Sequence, residues 1–287
     1  MIVDKLARVS IVIPVYNEAG HIGACLEAIA AQTAAPYEVI VVDNNSTDDT
    51  VAIAERYPFV KVLREPRQGV VYARDRGFDA VTGDIIGRLD ADSIIAPDWV
   101  ATLRQLFTED DDLAAVTGKV RYYGLALSSW LDAFDLRIRR RMARLLGREI
   151  AMQGANLALR RSAWQQVKRH LCRVGGMHED YDLAIHLAAR HYKITFDERM
   201  EAMIDSRRLR SSWRDFRAYA WLSPQTYAQH HLKSRRHMYP VVALVIICYL
   251  PLKLLHRGFN AETKRFSWYQ LLTSTASVRV NPATFVD

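Results

Sequence analysis

The sequence predicts an α/β domain built on a doubly wound, mostly parallel sheet. Three observations lead there. Continuous apolar, β-branched runs recur at Val9–Val15 and Glu38–Val42, the mark of strands buried on both faces. Stretches of helical spacing separate such runs, giving a βαβαβαβ rhythm up to Leu89. Carboxylate-bearing segments then follow the strands, at the edge where open α/β sheets bind ligands.

Element by element, Val9–Val15 is the first strand, and Ile22, Leu26 and Ile29 give one apolar side to a helix over Glu18–Ala31. Glu38–Val42 ends at Asp43-Asn44-Asn45-Ser46-Thr47-Asp48, where Ser46 or Thr47 can cap a helix running to Tyr57. Lys61–Arg64 reads as a short third strand, Gly69–Val81 as a helix and Ile85–Leu89 as a fourth, buried strand. Pro97–Phe107 is a helix with Pro97 in its first turn. Leu113–Tyr122 is a strand, and Leu157–Arg160, Lys193–Phe196 and Glu201–Ile204 are shorter ones. A helix over Tyr181–Arg190 opens at Glu179-Asp180, just after a Gly175-Gly176 turn. No repeat or low-complexity linker interrupts the chain, and no clean boundary falls before about residue 205.

A chain of 287 residues, half of them hydrophobic, can build one large domain with an elaborated tail. Its charge is divided unequally. Residues 1–120 carry 11 Lys+Arg against 19 Asp+Glu, and the rest carry 28 against 13. An acidic first part suits metal and nucleotide handling, and a basic second part suits an anionic partner surface. Cys25, Cys172 and Cys248 are odd in number and far apart, show no metal-ligand spacing, and suggest a reducing compartment. Met1–Val9 has no long apolar region, so no secretory signal is expected there.

Asp90-Ala91-Asp92 ends the fourth strand. Two carboxylates bracketing one small residue at a parallel strand's carboxyl end can hold a hard divalent cation, which takes oxygen ligands and bridges to phosphates. Pro14, Tyr16 and Glu18 leave the first strand and Asp43 the second, so all converge on one edge. Asp43-Asn44-Asn45 can equally be a polar turn with an Asx cap. Glu179 and Asp180, at a helix start, are held ionised by free N–H groups and the helix dipole, which by itself is ordinary capping.

Several ordered segments, VSIVIPVYNE (Val9–Glu18), VIVVDNNSTDDT (Val39–Thr50), ARDRG (Ala73–Gly77), GRLDAD (Gly87–Asp92), GANLALRR (Gly154–Arg161) and HEDYDLAIHLA (His178–Ala188), resemble those of a family 2 glycosyltransferase with the Rossmann-like GT-A fold. The resemblance spans the first 205 residues and implies two halves, a nucleotide-sugar half (1–120) and an acceptor half (121–205). It implies an inverting transfer of a sugar from a UDP- or GDP-sugar to an acceptor hydroxyl, with Mg²⁺ or Mn²⁺. It further implies Asp92 as the stronger metal ligand, with Asp90 beside the ribose or the metal. Arg74 would face the diphosphate, Asp43 a ring N–H of the base and Glu18 a ribose hydroxyl. Pro14 and Tyr16 complete the donor edge. The general base falls in the Glu-Asp pair, assigned to Asp180 with Glu179 second.

There are departures. Asp75 stands where the family often has Asn. No Gln-x-x-Arg-Trp motif follows the pair, which argues against a processive synthase. Asp205 occupies the region where related folds can provide a histidine ligand.

Residues 206–287 read as a basic, mainly helical extension. Upstream of it, Trp130, Phe134, Ile138, Met142 and Leu145 form one apolar stripe on a helix crowded by Arg137, Arg139, Arg140, Arg141, Arg144 and Arg148. That pattern suits an interfacial helix on anionic lipid, and equally a core-packed helix with a solvated face. Pro240–Leu252 is an apolar run of 13 residues, short of the about 20 a span needs. Basic residues flank it on both sides, which favours lying on one face. The expectation is a cytoplasmic enzyme, peripheral on the inner face of the cell membrane, acting on a lipid or saccharide acceptor without nucleic acid. The rival is an inactive scaffold of the same fold that binds anionic membrane; four intact carboxylates, Asp90, Asp92, Glu179 and Asp180, argue against it.

Overall fold

The computed structural model describes residues 7–123, 128–147, 152–260 and 265–266, with side chains described over 7–123, 131–147 and 152–257. The first part is the expected alternation: β1 (Val9–Val15), α1 (Ile22–Ala30), β2 (Glu38–Asp43), α2 (Thr50–Ala54), β3 (Val60–Arg64), α3 (Val70–Ala80) and β4 (Ile85–Arg88). These four strands pair in parallel in the order β3-β2-β1-β4. Side-chain alternation along β1 explains why it is apolar on both faces. Ile11, Ile13 and Val15 pack with Leu26 of α1 in one layer, while Val12 packs with Phe78 of α3 in the other.

The chain continues through β5 (Ile94–Ile95), α4 (Trp99–Glu109), β6 (Leu113–Tyr123), α5 (Ser128–Leu146), β7 (Leu157–Arg160), α6 (Arg161–Val167), α7 (Glu179–Ala189) and β8 (Lys193–Asp205). These strands extend the sheet to β3-β2-β1-β4-β7-β6-β8-β5. β7 runs antiparallel to both β4 and β6, β5 is antiparallel to β8, and β6 and β8 are parallel.

Three expectations need correction. Lys193–Phe196 and Glu201–Ile204 belong to one long strand, β8, because register shifts against β6, one of them at Gly118/Lys119, let it stay paired through the interruption. Ser46 and Thr47 do not cap α2, which starts later, after Asp49. Asn17 draws them away: Ser46 Oγ accepts from the Asn17 N–H at 3.0 Å, and the Thr47 N–H donates to Asn17 Oδ1 at 2.8 Å. The α5 stripe runs to Leu146, which is buried, whereas Leu145 is 45% exposed. The Trp130 side chain and Arg148 lie outside the described residues.

The bulge region is tightly built. Asn156, fully buried, donates from Nδ2 to the Lys119 and Met200 carbonyls at 2.9 Å each and accepts from Trp99 Nε1 at 2.8 Å. A Cβ on Gly118 would lie 2.0 Å from the Met200 carbonyl oxygen and 2.5 Å from Asn156 Nδ2. Gly118→Ala is therefore expected to destabilise the chain by about 1–3 kcal/mol, as overpacking does. Scanning calorimetry should show the fall in Tm, and an unchanged Tm would mean that the strand yields.

Beyond β8 come α8 (Trp213–Gln229) and α9 (Arg235–Gly258). Ser212 starts α8, its Oγ accepting from the Asp215 N–H at 3.1 Å. The apolar run around Pro240 is part of the longer helix α9, whose residues Arg235–Arg257 are long and apolar enough to cross a membrane by length and composition. Met238, Val242 and Tyr249 of α9 are buried, Tyr249 stacking on Phe216 of α8, whereas Leu244, Ile247, Leu250 and Leu254 are exposed.

Candidate active site

A cleft of about 1020 Å³ opens at the carboxyl ends of β1 and β4. Pro14, Tyr16 and Glu18 line it from β1, Asp90 and Asp92 from the turn after β4, and Glu179 and Asp180 from the start of α7. Seven of the nine expected site residues thus share one cavity. The cleft continues between α5 and α9, past Phe134, Ile138 and Met142 on one side and Val241, Val245 and Leu252 on the other.

The other two residues sit elsewhere. Asp43 is buried and accepts from the Ser46 N–H at 3.0 Å, forming the Asx turn, and Asn44 lines the cleft in its stead. Arg74, expected to face the diphosphate, is 1% exposed and is not among the residues lining the cleft. Its guanidinium binds Asp75 Oδ1 at 2.8 Å and the Glu179 carbonyl at 2.8 Å, so it fixes the start of α7. Asp75 also holds Arg173 at 3.0 Å.

Arg88 organises the centre, and sequence reasoning passed over it. It is buried, with Nη2 3.0 Å from Asp90 Oδ1 and 2.9 Å from Glu179 Oε1. A lone arginine in an otherwise apolar strand, two residues before Asp90 and so on the same face, was the available signal. Burial opposes ionisation of Glu179, but Arg88 and Arg74 overcome it and hold that carboxyl below its usual range.

Asp180 behaves oppositely. Burial and the neighbouring Glu179 charge push its carboxyl up to about 7, although it accepts from the Gly154 N–H at 2.8 Å and the Tyr181 N–H at 2.9 Å. The two adjacent carboxyls are thus shifted in opposite directions, Glu179 lowered by its arginines and Asp180 raised by burial and by Glu179.

At the other wall, Arg207 bridges two acids. It binds both Glu18 carboxylate oxygens, with Nη2 to Oε1 at 2.8 Å, and its Nε faces Asp92 Oδ2 at 2.9 Å. His21 bonds Asp205 at 3.2 Å and Glu18 at 3.3 Å, and these two carboxylates push its ring up to about 9. Arg207 appears in the sequence only as one of a crowd of arginines; its separation of 189 positions from Glu18 hides the pairing.

The sequence profile of glycosyl transferase family 2 matches residues 10–167, more than half of the chain. The chain belongs to this family. Among curated relatives, "Uncharacterized glycosyltransferase YibD" of Escherichia coli K12 is 35% identical over 108 residues, which are 36% of this chain and 31% of that protein. A PGL/p-HBAD biosynthesis glycosyltransferase of Mycobacterium bovis is 35% identical over 133 residues, 44% of this chain and 52% of that protein. The first curated relatives are thus matched over a third of their length or less. Among solved structures, the mannosyltransferase PcManGT of Pyrobaculum calidifontis, in complex with GDP-Man and Mn²⁺, aligns over 94% of this chain and 79% of its own, at 22% identity and TM-score 0.61. TarS residues 1–349 of Staphylococcus aureus align over 77% and 64%, at 18% identity and TM-score 0.57. These two likenesses place the GT-A fold on the family 2 chain.

Proposed function

We propose that this family 2 chain is an inverting glycosyltransferase. It moves a sugar from a UDP- or GDP-sugar to the hydroxyl of a lipid or lipid-linked acceptor at an anionic membrane surface. The observation that carries the reading is one cleft that joins the Asp90/Asp92 edge, the Asp180 carboxyl and an apolar gallery between α5 and α9. PcManGT was solved with GDP-Man and Mn²⁺ and TarS with UDP-GlcNAc, which supports a nucleotide-sugar donor.

Asp180 is the base. A carboxyl poised near 7 can take a proton from an acceptor hydroxyl at physiological pH, and Glu179 beside it remains a fixed charge held by Arg88. Pro14, Tyr16, Glu18 and Asn44 form the donor edge. The chemistry of Asp90 and Asp92 suits Mg²⁺ or Mn²⁺, since both offer hard carboxylate oxygens to the cleft. Arg207 pairs with Asp92 and Arg88 with Asp90, so a cation bound there would share or displace these partners. When bound, such a cation would neutralise charge developing on the leaving diphosphate. The exposed apolar face of α9 and the exposed Arg137, Arg141 and Arg144 of α5 support apposition to an anionic leaflet.

Calorimetric titration of UDP and GDP, each with and without Mn²⁺, tests the donor site. One nucleotide should bind only with metal, and Asp92→Ala should abolish that metal dependence. Transfer should proceed to a polyprenyl-phosphate-linked sugar in detergent and not to the free sugar. Binding of neither nucleotide by folded protein would sink the reading, and equal transfer to both acceptors would remove the lipid.

A further inference from the structure

Away from the cleft, four side chains that offer metal ligands converge. Cys172 lies between α6 and α7, Asp182 and His186 are one turn apart on α7, and His230 is the C-cap of α8. Their ligand atoms all lie within 4.8 Å of one another. His230 Nε2 is 2.8 Å and His186 Nε2 3.4 Å from the same oxygen, Asp182 Oδ1, and Cys172 Sγ is 3.8 Å from His186 Nε2. The site is enclosed: the Asp182 side chain is 1% exposed, His230 13% and His186 17%.

From this convergence we infer a structural zinc site formed by Cys172, Asp182, His186 and His230, separate from the donor-binding edge. Asp182 is the common focus: His186 Nε2, His230 Nε2, the Cys172 thiol and the Cys172 N–H all converge on its carboxylate. Both imidazoles present the same ring atom, Nε2, to the same point, and a cation there would take a lone pair from each of the four groups. Zn–N and Zn–O bonds of about 2.0–2.2 Å and a Zn–S bond of about 2.3 Å place tetrahedral ligands roughly 3.3–3.6 Å apart. The separations of 2.8, 3.4 and 3.8 Å bracket that span, and binding would draw in the ligand atoms that lie up to 4.8 Å apart. One thiolate, two imidazoles and one carboxylate favour Zn²⁺ over the hard cations Mg²⁺ and Ca²⁺. Binding converts the Cys172 thiol to thiolate and releases its proton to solvent.

Four protein ligands leave no open position, so the metal's work is structural. It would tie the segment after α6, the helix that presents Glu179 and Asp180, and the end of α8 into one unit. The second Cys172 contact fits this: its backbone N–H already donates to Asp182 Oδ2 at 3.0 Å. Sequence spacing concealed the set, because only Asp182 and His186 are close in the chain.

The test is Co²⁺ titration of the full chain after chelation, followed by Zn²⁺ displacement. We expect about one Co²⁺ per chain with a thiolate-to-cobalt charge-transfer band and the intense visible bands of tetrahedral Co²⁺. Zn²⁺ should erase both and raise Tm. The oxygen ligands Asp90 and Asp92 cannot give a thiolate band, which separates this site from a donor-site metal. Cys172→Ser should lose that band, and His230→Gln should weaken Co²⁺ binding by more than about 10-fold. Nucleotide binding with Mn²⁺ should survive in both. Wild-type protein that is folded by circular dichroism yet gives no thiolate band, or no Tm response to Zn²⁺, overturns the site. So does a band that persists in Cys172→Ser. The wild-type measurements decide the question even if a variant fails to fold.

Discussion

Asp180→Asn is expected to lower turnover by about 10²–10⁴-fold, the usual contribution of a positioned general base, while the affinity for the donor nucleotide stays within a factor of a few. Its carboxyl, pushed up to about 7 by burial and by Glu179, has to lose its proton to act. Wild-type kcat/KM should therefore rise with pH to about 7 and then level off. The stability argument runs alongside. A carboxyl whose proton is held more tightly in the folded chain than in the unfolded one, where it leaves near 3.9, makes the fold most stable below that value. Stability from this group then declines until pH reaches about 7 and is flat above. Asn has no such decline, so the Tm of Asp180→Asn relative to wild type should grow more favourable from pH 4 to 7. The pH trend is the clean readout, because Asn also forfeits one acceptor for the Gly154 or Tyr181 N–H. Near-normal turnover in Asp180→Asn would move the base elsewhere, and a flat Tm difference would mean that the carboxyl titrates normally.

The parallel half of the sheet was legible because β1, β2 and β4 are buried on both faces, and burial writes itself into the sequence as unbroken β-branched runs. The carboxylates at the strand ends were legible for a related reason: β1 and the turn after β4 bring Glu18, Asp90 and Asp92 to one edge without any long-range information. The second half was harder. β7 is four residues long and runs against its neighbours, and the pairing of β8 with both β6 and β5 depends on a bulge that no local pattern announces. Long-range ion pairs were the least visible. Arg88–Glu179 and Arg207–Glu18 join residues far apart in the chain, and no local spacing announces either pair. Arg74 shows the converse. Its position in a recognisable motif suggested a substrate contact, and what no spacing announced is its burial and its bond to the Glu179 carbonyl at the start of α7.

Gly154→Ala should impair catalysis by at least about 10-fold, because the added methyl enters the space Arg88 occupies. A Cβ there would lie 0.9 Å from Arg88 Nη1 and 2.1 Å from its Cζ. Arg88 is not a loose surface side chain that swings aside: it is buried between Asp90 and Glu179. If Arg88 withdraws, Glu179 is left as a buried carboxylate without its nearest countercharge, a loss of about 3–5 kcal/mol for a broken buried pair. If the backbone moves instead, Asp180 loses the Gly154 N–H that favours its charged form. Either route raises the proton affinity of the pair, so the acid limb of the kcat/KM profile should shift to higher pH and Tm should fall. Gly20→Ala is the control, since nothing lies within 4 Å of a Cβ there, and it should leave both readouts in place. Should Gly154→Ala match Gly20→Ala, Arg88 has room to yield and its hold on the pair is dispensable. An alkaline shift with donor affinity preserved would tie the packing at Gly154, through the Arg88–Glu179 contact or the Gly154 N–H, to the poise of Asp180.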